Sequence, residues 1–324
     1  MFTFPQHAPS GPAGPLPTDC ERQSLPDTVP TISTAAGDVP AFELFEPARA
    51  RLPFVFCSPH SGRAYPSSFL AQSRLDSGTI RRSEDLFVDQ LFDFVPGLGA
   101  PLLSVRFPRA FLDVNREPYE LDPAMFSDEL PSFANVASVR VAGGLGTVPR
   151  IVAEKQEIYR SKLCAGEALD RVERYYRPFH DCLGALMERT VRLFGIAILI
   201  DCHSMPSTVR ALPGGRRPDI VVGDRFGTSA APRIVAMASD RLSALGFDVA
   251  RNKPYAGGYI TETYGRPRRG FHAIQIEINR GLYADEANFV PHRGLEPLRE
   301  SLRTFVSYFA AELDADLSRP AAAE

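Results

Sequence analysis

An α/β domain with a parallel or mixed central sheet is what this sequence predicts, and three observations predict it. Short apolar runs alternate along the chain with stretches of helical period. The apolar runs are continuous, as in strands covered on both faces. Several of them lead into a histidine, an arginine or an acid, and open α/β sheets bind their ligands just beyond the carboxyl ends of strands.

Residues 1–40 are rich in Pro, Ser, Thr, Ala and Gly, with too little apolar surface to offset the entropy of ordering, so a flexible extension is expected there. Residues 41–318 are expected to form one α/β domain and 319–324 a short flexible tail. Pro53-Phe-Val-Phe-Cys-Ser58 reads as a buried strand that delivers Pro59-His60-Ser61-Gly62-Arg63 onto a loop. From Asp85, the spacing of Val88, Leu91, Phe92 and Val95 predicts a helix that Pro96-Gly97 stops, with Glu84 and Asp85 at its start. Leu102 to Arg106 and Phe111 to Val114 read as two more strands, the second ending in Asn115-Arg116. Helical patterns fill Ile151 to Phe194, with a break at Pro178. Gly195-Ile-Ala-Ile-Leu-Ile200 has the pattern of a central strand and runs into Asp201-Cys202-His203-Ser204. Asp219 to Gly223 predicts a short strand, Ala231 to Leu245 a helix and His272 to Ile278 a further strand. His60, Arg116, His203 and Glu277 then all fall at or near strand ends.

Composition narrows the function classes. With 324 residues, 44% of them hydrophobic and 23% charged, the chain has the balance of an ordinary globular protein. A net charge of −3 and a pI near 6.1 supply no overall basic field, so no nucleic-acid partner is expected, and an anionic small molecule would need a local arginine cluster. The five cysteines include no CxxC pair, which fits neither a disulfide scaffold nor a thiolate zinc site. The longest apolar run, Phe194 to Ile200, falls far short of the ~20 residues of a membrane span. The N-terminus lacks the pattern of a secretory signal, and a cytoplasmic chain without a membrane partner is expected.

Catalytic zinc takes three ligands of the His, Asp or Glu kind and leaves one position open, so two histidines leaving separate strands suit hydrolysis. His60 and His203 are the natural pair, although either alone could be an ordinary hydrogen-bonded core residue. In His272-Ala-Ile-Gln-Ile-Glu-Ile278, alternation puts the isoleucines on one face and Gln275 and Glu277 on the other. A carboxylate in that setting either pairs with an arginine or serves as a general base. Arg116 can grip a substrate carboxylate through two parallel hydrogen bonds, or form an ion pair with Asp113 or Glu117. Gly257-Gly258 and Gly265 mark loop hinges or close backbone approaches. Neither a phosphate-binding loop nor a G-x-S-x-G elbow is present.

Several fragments taken together resemble the N-formylglutamate amidohydrolase family, from about residue 53 to 283. They are Ser58-Pro-His-Ser-Gly62, Ser83-Glu-Asp-Leu86 with Asp89-Gln-Leu91, and Arg109 with Asp113-Val-Asn-Arg116. They continue as Asp201-Cys-His-Ser204, Pro218-Asp-Ile-Val-Val-Gly223, Gly257-Gly-Tyr-Ile-Thr261 and His272-Ala-Ile-Gln-Ile-Glu277. The resemblance implies a three-layer α/β/α fold with a mixed, largely parallel sheet, similar to the zinc carboxypeptidases. It also implies zinc-dependent hydrolysis of a small anionic N-acyl amino acid such as N-formyl-L-glutamate. His60 and His203 would be metal ligands, Glu277 the general base and Asn115-Arg116 the pair that grips a substrate carboxylate. Arg109 and Arg280 are candidates for a second anionic contact. A carboxypeptidase-type His-x-x-Glu is absent, because Arg63 stands three residues after His60. The resemblance puts the third ligand on Asp85, with neighbouring Glu84 as the alternative. Deacylation of another N-acyl amino acid, carboxypeptidase-like cleavage and metal or carboxylate binding without catalysis are the competing readings.

Overall fold

The computed structural model describes residues 39–209, 215 and 217–318, and within them seven strands form one sheet. In chain order these are β1 (Phe42–Phe45), β2 (Phe54–Ser58), β3 (Leu102–Val105), β4 (Ala197–Met205), β5 (Ile220–Gly223), β6 (Val249–Arg251) and β7 (Phe271–Asn279). Across the sheet they lie in the order β1-β3-β2-β4-β7-β5-β6. The central strands β3, β2, β4 and β7 are mutually parallel. β1 is antiparallel to β3 and β5 to β7, while β6 is parallel to β5. The sheet is mixed and largely parallel, as the continuous apolar runs imply.

Strand β2 shows why those runs are continuous. Successive side chains alternate across a strand. Phe54 and Phe56 therefore enter one apolar core, and Val55 and Cys57 enter the other. Helix α1 (Arg177–Phe194) covers one face with Phe179, Leu183 and Leu186. Helices α2 (Pro232–Ala244) and α3 (Leu295–Leu317) cover the opposite face with Ile234, Leu242, Leu302 and Phe305. The result is a three-layer α/β/α architecture. Among the described residues no helix is long and apolar enough to cross a membrane. Cys57, Cys182 and Cys202 are buried free thiols and Cys164 is exposed. Of the expected extension and tail, all but residues 39 and 40 lie outside the described residues.

Three local expectations are corrected. Phe111 to Val114 is not a strand: Phe111, Leu112 and Val114 are buried in the core beside α1, and the Asp113 N–H donates to the Thr147 carbonyl. Its apolar pattern reflects burial without strand pairing. The helix expected from Asp85 is two single turns, Val88–Leu91 and Val95–Leu98. Phe87 at φ +58° separates Asp85 from the first turn, and Pro96 sits inside the second rather than ending a helix. Between Ile151 and Phe194 the chain first makes a two-stranded hairpin, Ile151–Val152 with Gln156–Glu157, before Ala165–Arg171 begins the helix. Pro178 does not break it. A π turn at Val172–Tyr176, closed by the Arg177 N–H on the Val172 carbonyl, precedes α1, and Pro178 stands in the first turn of α1.

Candidate metal centre and substrate cavity

His60 leaves β2 on a turn with no room for a side chain at Gly62, where a Cβ would lie 2.1 Å from the Phe107 carbonyl oxygen. Within this turn the hydroxyls of Ser58 and Ser61 bond each other at 2.7 Å. The His60 carbonyl accepts the Asp85 N–H at 3.0 Å, which brings the Asp85 carboxylate to the imidazole. His203 reaches the same point from within β4. Asp85 Oδ2 lies 2.9 Å from His203 Nδ1 and 3.5 Å from His60 Nδ1, and the two ring centroids are 4.9 Å apart. One ligand atom from each of the three residues falls within 4.8 Å of the others. All three are buried, and His60 Nδ1 has no hydrogen-bond partner. A buried, unpartnered imidazole nitrogen facing a carboxylate and a second imidazole fits a metal ion.

Both imidazoles are held from behind. His60 Nε2 bonds Asp113 Oδ1 at 2.8 Å, and His203 Nε2 lies 3.0 Å from Asp201 Oδ1. The hydrogen bond of His60 Nε2 to Asp113 leaves His60 Nδ1 as the lone pair that faces the cluster. Asp113 also accepts the Asn115 N–H at 2.9 Å and the Arg109 Nε–H at 2.9 Å. Burial opposes the charge on Asp113, but Arg109, Arg116 and His60 hold its carboxyl well below the usual range. Asp85 is likewise held well below its usual value: burial opposes, and the two histidines outweigh it. His203 is held well above its usual value, against burial, by Asp201 and Asp85. Arg280 donates to Asp85 Oδ1 at 3.1 Å and to the Ser204 hydroxyl at 2.9 Å, leaving Asp85 Oδ2 toward the histidines.

His203 and Glu277 are paired across the parallel strands β4 and β7, as are Asp201 and Gln275, so these four side chains share one face. Glu277 accepts a hydrogen bond from Gln275 Nε2 at 2.8 Å and forms no ion pair among the described residues. Burial pushes its carboxyl up to about 7; His203 opposes that rise and Asp85 adds to it. Arg116 is buried too, with Nε donating to the Leu145 carbonyl at 2.9 Å and Nη1 to the Asn115 carbonyl at 2.8 Å. The nearest carboxylate, Asp113, is 3.6 Å away. Burial draws the Arg116 guanidinium down to about 10, and Arg109 and Arg140 add to the effect against Asp113. His203, Gln275, Glu277, Arg116 and Arg140 line a cavity of about 450 Å³.

Of the residues named from the sequence as candidate metal ligands, general base or substrate contacts, all but Glu84 line this cavity. Glu84 turns away to Tyr65 and Arg81, at 2.7 and 3.0 Å, and leaves the cluster to Asp85. Asn115 is engaged on both sides of its amide. Its Oδ1 accepts the Ile260 N–H at 2.8 Å and its Nδ2 lies 3.2 Å from His203 Nε2. Gly258 makes the expected close approach, since a Cβ there would sit 2.4 Å from Asn115 Oδ1. Sequence reasoning missed Asp201 as the support of His203, although a spacing of two along one strand puts them on the same face. It also missed Tyr255 and Arg140 on the cavity wall, and no local pattern marks either.

A three-layer α/β/α domain with a buried His-Asp-His cluster that could hold a metal ion, set in an arginine-lined cavity, defines the class of protein by its fold and candidate metal site. The sequence profile of the N-formylglutamate amidohydrolase family matches residues 52–284, and the chain belongs to that family. It is 28% identical over 252 residues to an N-formylglutamate deformylase of Pseudomonas putida, covering 76% of this chain and 86% of the relative. A Pseudomonas aeruginosa N-formylglutamate deformylase is 28% identical over 247 residues, covering 74% and 84%. The crystal structure of N-formylglutamate amidohydrolase from Ralstonia eutropha JMP134 superposes with a TM-score of 0.80 at 33% identity, covering 85% of this chain and 99% of that one.

Proposed function

We propose that the chain hydrolyses a small N-acyl amino acid, and that N-formyl-L-glutamate, giving formate and L-glutamate, is the preferred substrate. The observation that carries this reading is Glu277: a buried carboxylate without an ion pair among the described residues, one strand away from His203 and facing the same cavity. His60, Asp85 and His203 would hold one zinc ion. Zinc there would polarise the substrate carbonyl and make water more acidic. Glu277 takes the proton of the attacking water and delivers it to the departing nitrogen. Arg116 binds the α-carboxylate and sets the distance from the acyl carbon to Glu277, with Asn115 holding the adjoining loop against Ile260. Asp113 keeps the His60 imidazole in the ligating tautomer, and the Asp201 carboxylate lies beside His203 Nε2.

One observation favours a wider acyl range. A second cavity of about 430 Å³ shares Ser83, Arg109 and Ala153 with the first and has Leu145, Pro149, Ile151 and Val152 in its walls. An acyl chain longer than formyl could enter it. Both readings are tested by incubating zinc-loaded protein with N-formyl, N-acetyl and N-succinyl amino acids and measuring free amine. Release from N-formyl-L-glutamate above all others is expected. Preference for a longer acyl group would support the second reading, and no release from any of them would overturn both.

A further inference from the structure

Five arginines line the cavity, Arg82, Arg109, Arg116, Arg140 and Arg280, against two acids, Asp85 and Glu277. Most of them are occupied. Arg109 is committed to Asp113 at 2.9 Å and Arg280 to Asp85 at 3.1 Å. Arg82 has partners of its own. Arg116 is held by two backbone carbonyls. Arg140 differs: it is exposed on the cavity wall and makes no hydrogen bond or ion pair among the described residues.

The backbone fixes where Arg140 stands. The Ser138 hydroxyl accepts the Val141 N–H at 3.1 Å and opens the single helical turn Val139–Ala142. The Leu145 N–H donates to the Arg140 carbonyl at 2.8 Å, and the Leu145 carbonyl in turn accepts Arg116 Nε. Gly146 then passes so close to Glu120 that a Cβ would lie 2.2 Å from its carbonyl oxygen. The loop that bears Arg140 is thus anchored on the guanidinium of Arg116. Two positive side chains share one wall, close enough that the charge of Arg140 disfavours the protonated form of Arg116. Such an arrangement is unfavourable until an anion bridges the gap.

We propose that Arg140 binds the side-chain carboxylate of the substrate while Arg116 takes its α-carboxylate, so that the site selects N-acyl derivatives of dicarboxylic amino acids. This rests on the deacylase reading above and supplies its specificity. An amide in place of the carboxylate has the same shape but only one neutral acceptor, which a guanidinium holds much less tightly.

Arg140→Gln, compared with wild type on N-formyl-L-glutamate and N-formyl-L-glutamine, tests the assignment, because these substrates differ by one charge and hardly in volume. The ratio of kcat/KM for acid over amide should fall roughly tenfold to a hundredfold, as expected for losing a charge-assisted hydrogen bond. The change should lie in KM, and Arg140→Lys should restore part of it. Calorimetry with the products L-glutamate and L-glutamine reads the same discrimination without turnover. An acid-to-amide ratio unchanged by the substitution, or absent in wild type, overturns the assignment; wild-type release of formate leaves the deacylase reading standing. Discrimination that depends on Arg140 but comes without amine release from any N-formyl substrate keeps the assignment and overturns that reading.

Discussion

At the residue scale, the site separates residues that would touch metal or substrate from residues that aim them. Glu277→Gln keeps the shape of the side chain and removes its basicity. Metal content and KM should stay near wild type while kcat falls by about a hundredfold or more. Metal analysis and steady-state kinetics on one preparation check both halves of that statement. Asp113→Asn acts one bond further out: it leaves the His60 ligand atom in place but weakens the partner that fixes its ring. Zinc affinity should drop by about 10–100-fold, measured by competition with a chelator. For the neighbouring acids, Asp85→Asn should weaken zinc binding far more than Glu84→Gln, since Glu84 faces Tyr65 and Arg81. A Glu84 variant that loses metal as readily would shift the proposed ligand by one residue.

At the scale of elements, the site is built where strands end and tight turns begin. Gly62→Ala would push a methyl group into the Phe107 carbonyl, and neither backbone can easily give way. A loss of about 1–3 kcal/mol in urea unfolding is expected, together with weaker zinc binding, because the same turn carries His60. Strands β2, β4 and β7 were legible in the sequence because each lies between two cores and so reads as a continuous apolar run. The same logic misled at Phe111 to Val114, which is buried without pairing, since burial and pairing leave the same mark on four residues. At Val88 to Val95 the helical spacing is real, but Phe87 in the left-handed region sets the first turn off from Asp85, and Phe92 at φ −114°, ψ 8° ends that turn before the second begins. The edge strands β1 and β6 and the helix α3 were not read at all. Edge strands this short, half-exposed, carry too little apolar signal to stand out. Among site residues, His203 and Glu277 on strands were found, whereas Asp201 on the same strand as His203 and Arg140, on an exposed turn without periodicity, were not.

At the scale of the whole molecule, one buried histidine ties the helical layer to the site. His180 on α1 bonds the Val114 carbonyl through Nε2 at 2.8 Å, and Tyr176 donates to the Arg116 carbonyl at 2.7 Å. Burial holds His180 down to about 3, far below the 6.5 of an exposed imidazole. The unfolded chain therefore takes up a proton near pH 6.5 that the folded chain refuses until about pH 3. The stability that rests on neutral His180 is full above 6.5 and is lost as the pH falls toward 3, by about 1.4 kcal/mol per pH unit. Glu277 and His272 also titrate differently in the folded protein, but they cancel when wild type is compared with His180→Gln. The advantage of wild type over that variant in urea unfolding should shrink steadily from pH 6.5 to pH 5. A constant difference would mean that His180 is charged in the fold.

The register that sets Glu277 beside His203 belongs to the hydrogen-bonded ladder of β4 and β7, whereas Arg140 belongs to a turn outside that ladder, bonded to Arg116 through the Leu145 carbonyl. Chemistry and selectivity are thereby carried on separately replaceable parts. Grafting the 138–146 turn of one relative onto another should exchange which amino acid is accepted while leaving the hydrolytic step untouched. A lineage that diversified in this way would vary in that turn long before it varied in its strands.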